Sequence, residues 1–390
     1  MSSSGSKKPR APLPKKRRKE AHDLELADLL GRPAVSLDTP ELQRFLAGKN
    51  VLVTGAGGSI GSEICRQSMK FCPRRMILLD RAENSLFEID RELRDRWVGA
   101  ERVPIIADIC DVRRMAKVFE EHEPHVVFHC AAHKHVPMME SNPGEAIKNN
   151  VFGSRIVADA ALAAGVAAFV MVSTDKAVNP TSVMGAAKRC AELYVQSLNT
   201  TGCRTRFVAV RFGNVLGSSG SVAPIFRKQI EAGGPVTVTH PDMKRYFMTI
   251  AEASQLVMQA GAIGRGGEIF ILDMGKPIKI LSLAKEMIRR HGLKPGKDIA
   301  IEFSGIRPGE KLYEELACAG EQTRPTSHPK IRVWQLPRAT PKQVEQMMQT
   351  LAAVTNAGRN EVMQALCQCV PEYQPVVVEK PSVRLVADAA

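Results

Sequence analysis

The chain has 390 residues, 44% of them hydrophobic, and a formal net charge of +13. That length allows one large or two ordinary domains with buried cores. The longest apolar stretch, Ala160 to Val172, is far short of the roughly 20 residues a membrane span needs, and no apolar segment follows the basic N-terminus, so neither a membrane span nor a secretory signal is expected.

The elements are taken in chain order. Residues 1–23 read as a disordered basic tail. The first 20 carry eight Lys or Arg and one Glu, a net +7, and Lys7 to Lys19 is too rich in Pro and charge to bury a core. Two readings stand side by side: a solvated tail, and an arm that touches anionic lipid at a membrane surface. Nucleic acid is not an expected partner. Residues 24–48 form a short adaptor containing Asp28-Leu-Leu-Gly-Arg-Pro33.

From 49 to 213 short β-rich runs alternate with helical patterns, the mark of βαβ units and a parallel sheet. Strands are expected at Asn50–Thr54, Arg75–Asp80, Val103–Ala107, Val126–Cys130, Ala168–Ser173 and Arg206–Phe212. Helices are expected at Ser59–Phe71, Val112–Glu121, Pro143–Ala164 and Gly185–Leu198. This predicts an α/β, Rossmann-type doubly wound sheet with ligands at its carboxyl edge. Beyond Asn214 the alternation breaks down, so 214–335 reads mainly as a smaller C-terminal substrate-binding lobe. Residues 336–390 read as a C-terminal helix and tail, with helix over 340–368. The nine cysteines have no paired spacing, and flanks such as those of Cys130 and Cys318 point to buried thiols in a reducing compartment. A cytoplasmic protein is expected, membrane-peripheral if the tail is a lipid arm.

The first strand, Val51-Leu-Val53, runs into Thr54-Gly55-Ala-Gly57-Gly58-Ser59-Ile60-Gly61 and then a helix. Glycines let the backbone turn tightly and approach a pyrophosphate whose charge sits at the helix N-terminus. The spacing is Gly55-x-x-Gly58-x-x-Gly61, and strand, loop and helix fall in the order a dinucleotide site requires. Asp80 closes the second strand, where a carboxylate accepts both adenosine ribose hydroxyls and repels a 2′-phosphate. NAD is therefore the expected cofactor, and NADP the lesser alternative because Arg81 stands next door. Asp108 and Ile109, after the third strand, are placed to meet the adenine. Ala131 and Ala132, after the fourth, are small enough for close approach. His129, Cys130, His133 and His135 do not make a metal site: strand alternation points neighbours to opposite faces, and no second ligand group has the usual spacing.

The fifth strand ends in Ser173-Thr174-Asp175-Lys176, followed by Met184-x-x-x-Lys188. An ionisable cluster at the carboxyl end of a central strand is where such sheets do chemistry. Taken alone, a strand followed by a capped helix with exposed charges accounts for the same residues.

The glycine loop, Ala131-Ala-His-Lys-His-Val-Pro137, Ser173-Thr-Asp-Lys-Ala177 and Arg307-Pro-Gly-Glu-Lys311 together resemble the extended short-chain dehydrogenase/reductase superfamily. More closely, they resemble its CapD-like polysaccharide-biosynthesis branch, which includes UDP-N-acetylglucosamine 4,6-dehydratases. The resemblance covers roughly Leu24 to Val333. The superfamily usually has Tyr-x-x-x-Lys, with tyrosine as base; here Met184 takes the tyrosine's place, and a thioether cannot accept a proton. That replacement is similar to the C5-retaining dehydratases of the branch, whereas C5-inverting members keep tyrosine.

The resemblance implies oxidation at C4, loss of water across C5 and C6, and return of the hydride to C6. Of the pair, Asp175 is assigned as acid and Lys176 as C5 base, which calls for a raised acid pKa and a lysine lowered by burial or by Lys188. Thr174 binds the 4-hydroxyl, and Lys188 the nicotinamide ribose. It also implies a UDP-sugar substrate, with Asn214, Arg245 and Arg307 at the diphosphate and Val222 beside the uracil. A homo-oligomer, a dimer or higher, is expected. A UDP-sugar 4-epimerase and a non-catalytic NAD-binding scaffold are the alternatives.

Overall fold

The computed structural model describes residues 40–200, 202–316, 323–335 and 339–376. The basic tail, residues 24–39 of the adaptor and Cys318 lie outside the described residues. Among the described residues, no helix is long and apolar enough to cross a membrane.

Fifteen strands are described, the first six being β1 (Asn50–Thr54), β2 (Arg75–Asp80), β3 (Arg102–Ile106), β4 (Val126–His129), β5 (Ala168–Val172) and β6 (Arg206–Arg211). The others are β7 (Asn214–Leu216), β8 (Val236–Val238), β9 (Lys244–Arg245), β10 (Phe247–Thr249), β11 (Ile269–Leu272), β12 (Ile278–Lys279), β13 (Ile301–Phe303), β14 (Thr323–Pro325) and β15 (Ile331–Trp334). Nine form one sheet in the order β14-β15-β11-β6-β5-β4-β1-β2-β3. It is parallel from β3 to β11, and β15 and β14 add antiparallel pairs at one edge. The order reverses between β1 and β4, which opens a crevice at their carboxyl ends. Every residue of β1 and β4 is buried. Continuous apolar runs are what a parallel strand covered on both faces requires.

Helices Ser59–Met69 and Ile250–Ile263 cover one face of the sheet, and Val112–His122 and Ser154–Ala163 the other. Side-chain caps set the starts of two of these and of the helix Val183–Ser197: Asp111 accepts from Arg114 N at 2.9 Å, Thr249 from Glu252 N at 3.0 Å and Ser182 from Gly185 N at 3.1 Å.

Three features depart from the sequence reading. The stretch 143–164 is not one helix: Pro143–Ala146 is α-helical, Ile147–Gly153 is π-helical, and Ser154–Ala163 resumes the α-helix. Side-chain demands go with the bulge. Asn150 accepts from His133 N at 2.8 Å and donates to His133 O at 2.9 Å, while Ser154 donates to Asn150 O at 2.7 Å. Second, the division at 213 is not clean. Short strands β11, β14 and β15 and the helix 250–263 return to the main sheet, and the smaller lobe is built from 214–249 and 278–303. Third, the C-terminal segment forms two helices, Pro341–Val354 and Arg359–Cys369. They share an apolar cluster with Val183–Ser197, so that helix is buried on both sides.

Candidate active site

A cavity of about 1250 Å³ opens at the carboxyl ends of β1, β4 and β5 and continues into the smaller lobe. Its wall includes Gly55, Gly58, Ser59, Ile60 and Gly61 at one end and Thr174, Lys176, Asn214, Arg245 and Glu314 at the other.

The glycine end is shaped for close backbone approach. A Cβ on Gly61 would meet Gly55 O at 2.1 Å, and one on Gly55 would meet Ala131 N at 2.7 Å. No side chain caps the helix 59–69, so its first N–H groups are available to an anion. Asp80 sits behind the loop. Its Oδ2 accepts from Gly57 N and its Oδ1 from Ala82 N, each at 2.9 Å. Arg81 lines the cavity but is turned to His133, 3.1 Å from Nε2, and to Asp108, at 3.9 Å. Ala132 is in the cavity wall, whereas Asp80, Asp108, Ile109 and Ala131 are outside it. Ile109 is buried in the core instead. The cradle, the uncapped helix and the anchored carboxylate fit a nicotinamide dinucleotide.

A strap from the smaller lobe crosses this end. Ser219 N donates to Ser59 Oγ at 3.0 Å, Lys134 Nζ donates to Ser219 O at 2.6 Å, and a Cβ on Gly220 would meet the His135 ring at 2.6 Å. The neighbouring imidazoles go separate ways. His129 bonds Thr54 and Ser154 at 2.8 and 2.9 Å inside the fold, where burial and then the Lys188 charge push it down to about 3. Among the described residues no group of three His, Cys, Asp or Glu side chains converges.

At the other end the segment after β5 makes a tight polar cluster. The Asp175 side chain is fully buried and outside the cavity wall. Its Oδ1 accepts from Thr174 Oγ1 at 3.0 Å and Lys176 Nζ at 2.9 Å. Asp175 therefore reaches the cavity through the Thr174 hydroxyl and the Lys176 ammonium. Lys176 also donates to Asn214 Oδ1 at 3.3 Å and stands 3.8 Å from Glu314 Oε1. The lowered Lys176 pKa expected from the sequence is not found. Burial pulls it down, but Asp175 and Glu314 outweigh burial and hold the ammonium above its ordinary value. Lys188 is lowered instead: burial brings it to about 8 against weaker pulls from Glu192 and Cys130. Met184 and Lys188 both line the cavity.

The arginines are more committed than their sequence positions imply. Arg245 Nη1 donates to Lys244 O and Leu312 O at 2.8 and 3.2 Å, and Nη2 to Lys311 O at 2.7 Å. Three of its five N–H groups are thus spent on backbone carbonyls, and Nη2 also stands 3.7 Å from Glu314 Oε1. Arg307 is half-exposed and paired with Glu310 at 2.6 Å. Val222 lines the cavity at the start of the helix Val222–Glu231.

Two groups were missed by sequence reasoning. Glu314 is buried in the cavity wall between Lys176 and Arg245, and only its nearness to Arg307-Pro-Gly-Glu-Lys311 could have drawn attention to it. The second lies beneath the segment after β5. Ser173 Oγ donates to Glu192 Oε1 at 2.6 Å, Arg211 Nε donates to the same oxygen at 2.7 Å, and the Arg211 guanidinium lies 3.8 Å over the Trp334 ring. These partners come from β6, β15 and the helix 183–197, and no local pattern joins them.

Residues 51–336 match the polysaccharide biosynthesis protein family. The chain is similar to the capsular polysaccharide biosynthesis protein CapD of Staphylococcus aureus, 60% identical over 76% of this chain and 50% of that protein. It is 35% identical to a UDP-N-acetylglucosamine 4,6-dehydratase (inverting) of Campylobacter jejuni, over 70% of this chain and 79% of the relative. Among solved structures it resembles Pen from Bacillus thuringiensis with a TM-score of 0.70 at 36% identity, over 76% of this chain and 92% of that one. The chain spans about half the length of CapD and of a second such relative, EpsC of Bacillus subtilis. With a nicotinamide-type cradle and a polar ionisable cluster at one cavity, and with this match over most of its length, the chain belongs to the polysaccharide biosynthesis protein family of nucleotide-sugar dehydratases and epimerases.

Proposed function

We propose that the chain is an NAD-dependent UDP-N-acetylglucosamine 4,6-dehydratase of the C5-retaining kind. The observation that carries this reading is that Thr174 and Lys176, both bonded to the buried Asp175, line the same cavity as Met184, which stands where a catalytic tyrosine is usual. NAD, when bound, accepts a hydride from C4 of the sugar and returns it to C6. Asp80, with both oxygens anchored on backbone N–H groups, favours a ribose diol over a 2′-phosphate. Residues 49–213 supply most of the cofactor half, and segments of 214–335 the UDP-sugar half.

The residues divide the proton work. Thr174 Oγ1 accepts the hydrogen bond of the 4-hydroxyl and passes the proton to Asp175. Lys176 removes the C5 proton, whose acidity the C4 ketone raises. Asp175 sends its proton back through Thr174 to the C6 hydroxyl, which departs as water. Lys176 then reprotonates C5 on the face it deprotonated, which retains configuration. Lys188 is left to the nicotinamide ribose, and Asn214, Arg307 and Val222 to the UDP moiety.

The test is incubation with UDP-N-acetylglucosamine in D₂O, followed by mass and NMR analysis. The expected early product has lost one water, carries deuterium at C5 and keeps the C5 configuration. An isomer of unchanged mass would make the enzyme an epimerase. An inverted C5 in the early product would sink the retaining assignment.

A further inference from the structure

Resting on the dehydratase reading above, we propose that Glu314 is a positioning residue that stores the proton Lys176 must shed before it can act as the C5 base. The difficulty it solves is visible in the geometry. Lys176 Nζ lies 2.9 Å from Asp175 Oδ1 and 3.8 Å from Glu314 Oε1. An amine between two carboxylates stays protonated, and an ammonium cannot accept the C5 proton.

Glu314 has the properties of a proton store. It is 7% exposed, and its Oε2 has no hydrogen-bond partner. A buried carboxylate with one bare oxygen is costly to keep ionised. Burial accordingly pushes its pKa above the usual carboxylate range, against the pull of Lys176. The charged groups that face it are Lys176 and Asp175 from the segment after β5, Arg245 from β9, and Lys311 from its own segment. Arg245 fixes its place: the guanidinium grips the carbonyls of Lys311 and Leu312 and stands 3.7 Å from Glu314 Oε1.

The protons balance over one turnover. At rest Asp175 and Glu314 are carboxylates and Lys176 is an ammonium. The 4-hydroxyl proton arrives at Asp175 through Thr174 and neutralises the closest partner of Lys176. The Lys176 proton then moves to Glu314. The neutral amine takes the C5 proton as the C6–O bond breaks, and the Asp175 proton leaves with the hydroxyl as water. Lys176 returns a proton to C5 and recovers its own from Glu314. No proton has to reach bulk solvent.

The experiment compares the NAD-loaded full chain with Glu314→Gln and Glu314→Asp. In Glu314→Gln, C4 oxidation, read as reduced-nicotinamide absorbance, and KM should stay near the parent. Its kcat should fall at least tenfold at neutral pH and recover by about tenfold per pH unit as the lysine proton is lost to solvent instead. Glu314→Asp should restore the parent pH profile. A Glu314→Gln enzyme with the parent kcat and pH profile overturns the proposal, as does an equal loss at all pH values. An infrared titration of the substrate-free holoenzyme separates this from failure of the dehydratase reading. A protonated-carboxyl band absent from Glu314→Gln but kept in Asp175→Asn supports the store whatever the substrate. A titration with no Glu314-dependent band rejects it, even if the parent dehydrates UDP-N-acetylglucosamine.

Discussion

Replacing Met184 with Ala separates packing from proton chemistry at the position where a catalytic tyrosine is usual. Met184 is 4% exposed and belongs to the apolar cluster that joins the helix 183–197 to the C-terminal helices. Truncating a buried methionine to alanine costs ~2–5 kcal/mol. Met184 also lines the cavity, so the space it vacates opens onto that cavity instead of forming a sealed void. The cost should sit near the lower end, about 2 kcal/mol. In a urea titration that is a shift of roughly 1 M in midpoint for a slope of ~2 kcal/mol/M. Turnover of UDP-N-acetylglucosamine, scaled to the folded fraction, should fall far less than the ~10²–10⁴-fold that loss of a general base costs. Asp175→Asn should fall within that larger range. A folded, NAD-loaded Met184→Ala enzyme with a hundredfold lower kcat would refute the idea that position 184 only packs.

Two further outcomes follow from the cofactor end. Lys188 has its pKa lowered from 10.5 to about 8 by burial, so the unfolded chain holds the extra proton between those values and stability rises with pH across that window. In cofactor-free protein, Lys188→Met should be more stable than the parent below about pH 8, by on the order of 3 kcal/mol, with the gain gone above pH 10.5; a pH-independent difference in unfolding free energy would refute the assignment. Asp80→Asn loses one of the two backbone bonds and the charge that repels a 2′-phosphate, so the preference for NAD over NADP should narrow by about tenfold, or roughly 1.4 kcal/mol. Equal preference in parent and variant, measured by binding of both dinucleotides, would remove Asp80 from cofactor choice.

What could be read from the sequence was whatever is local. The glycine loop, the end of the second strand at Asp80 and the ionisable segment after the fifth strand each stand out within a few residues. The sheet strands up to β6 were placed to within a residue or so at their ends for the same reason. The strand β11 was hidden because four apolar residues, Ile269-Phe-Ile-Leu272, do not differ in pattern from a short buried element of any kind. The π-helical turn depends on Asn150 reaching the backbone of His133, which no helical periodicity encodes. The commitments of Arg245 to Lys311 and Leu312, and of Glu314 to Lys176, were illegible because these partners are 66 or more residues away. A charged residue looks free in a sequence until its distant partner is known.

The position of the C-terminal helices has a consequence for how the site comes into being. Glu140 accepts from Val183 N at 2.8 Å and pairs with Arg359, 219 residues away, at 3.1 Å. Gln374 N adds a bond to Pro180 O at 2.9 Å, and Glu372 takes up Arg189. The loop and helix that carry Met184 and Lys188 are thus held from outside by residues the ribosome makes long after them. At about 5–20 residues per second, the interval between the emergence of Lys188 and of Arg359 is roughly 10–30 s. During that time the glycine cradle can already have formed, while the outer apolar face of the helix 183–197 has nothing to cover it. A nascent chain in that state would be competent for cofactor before it is competent for substrate, and it would be most exposed to chaperones or to another unfinished copy during that interval.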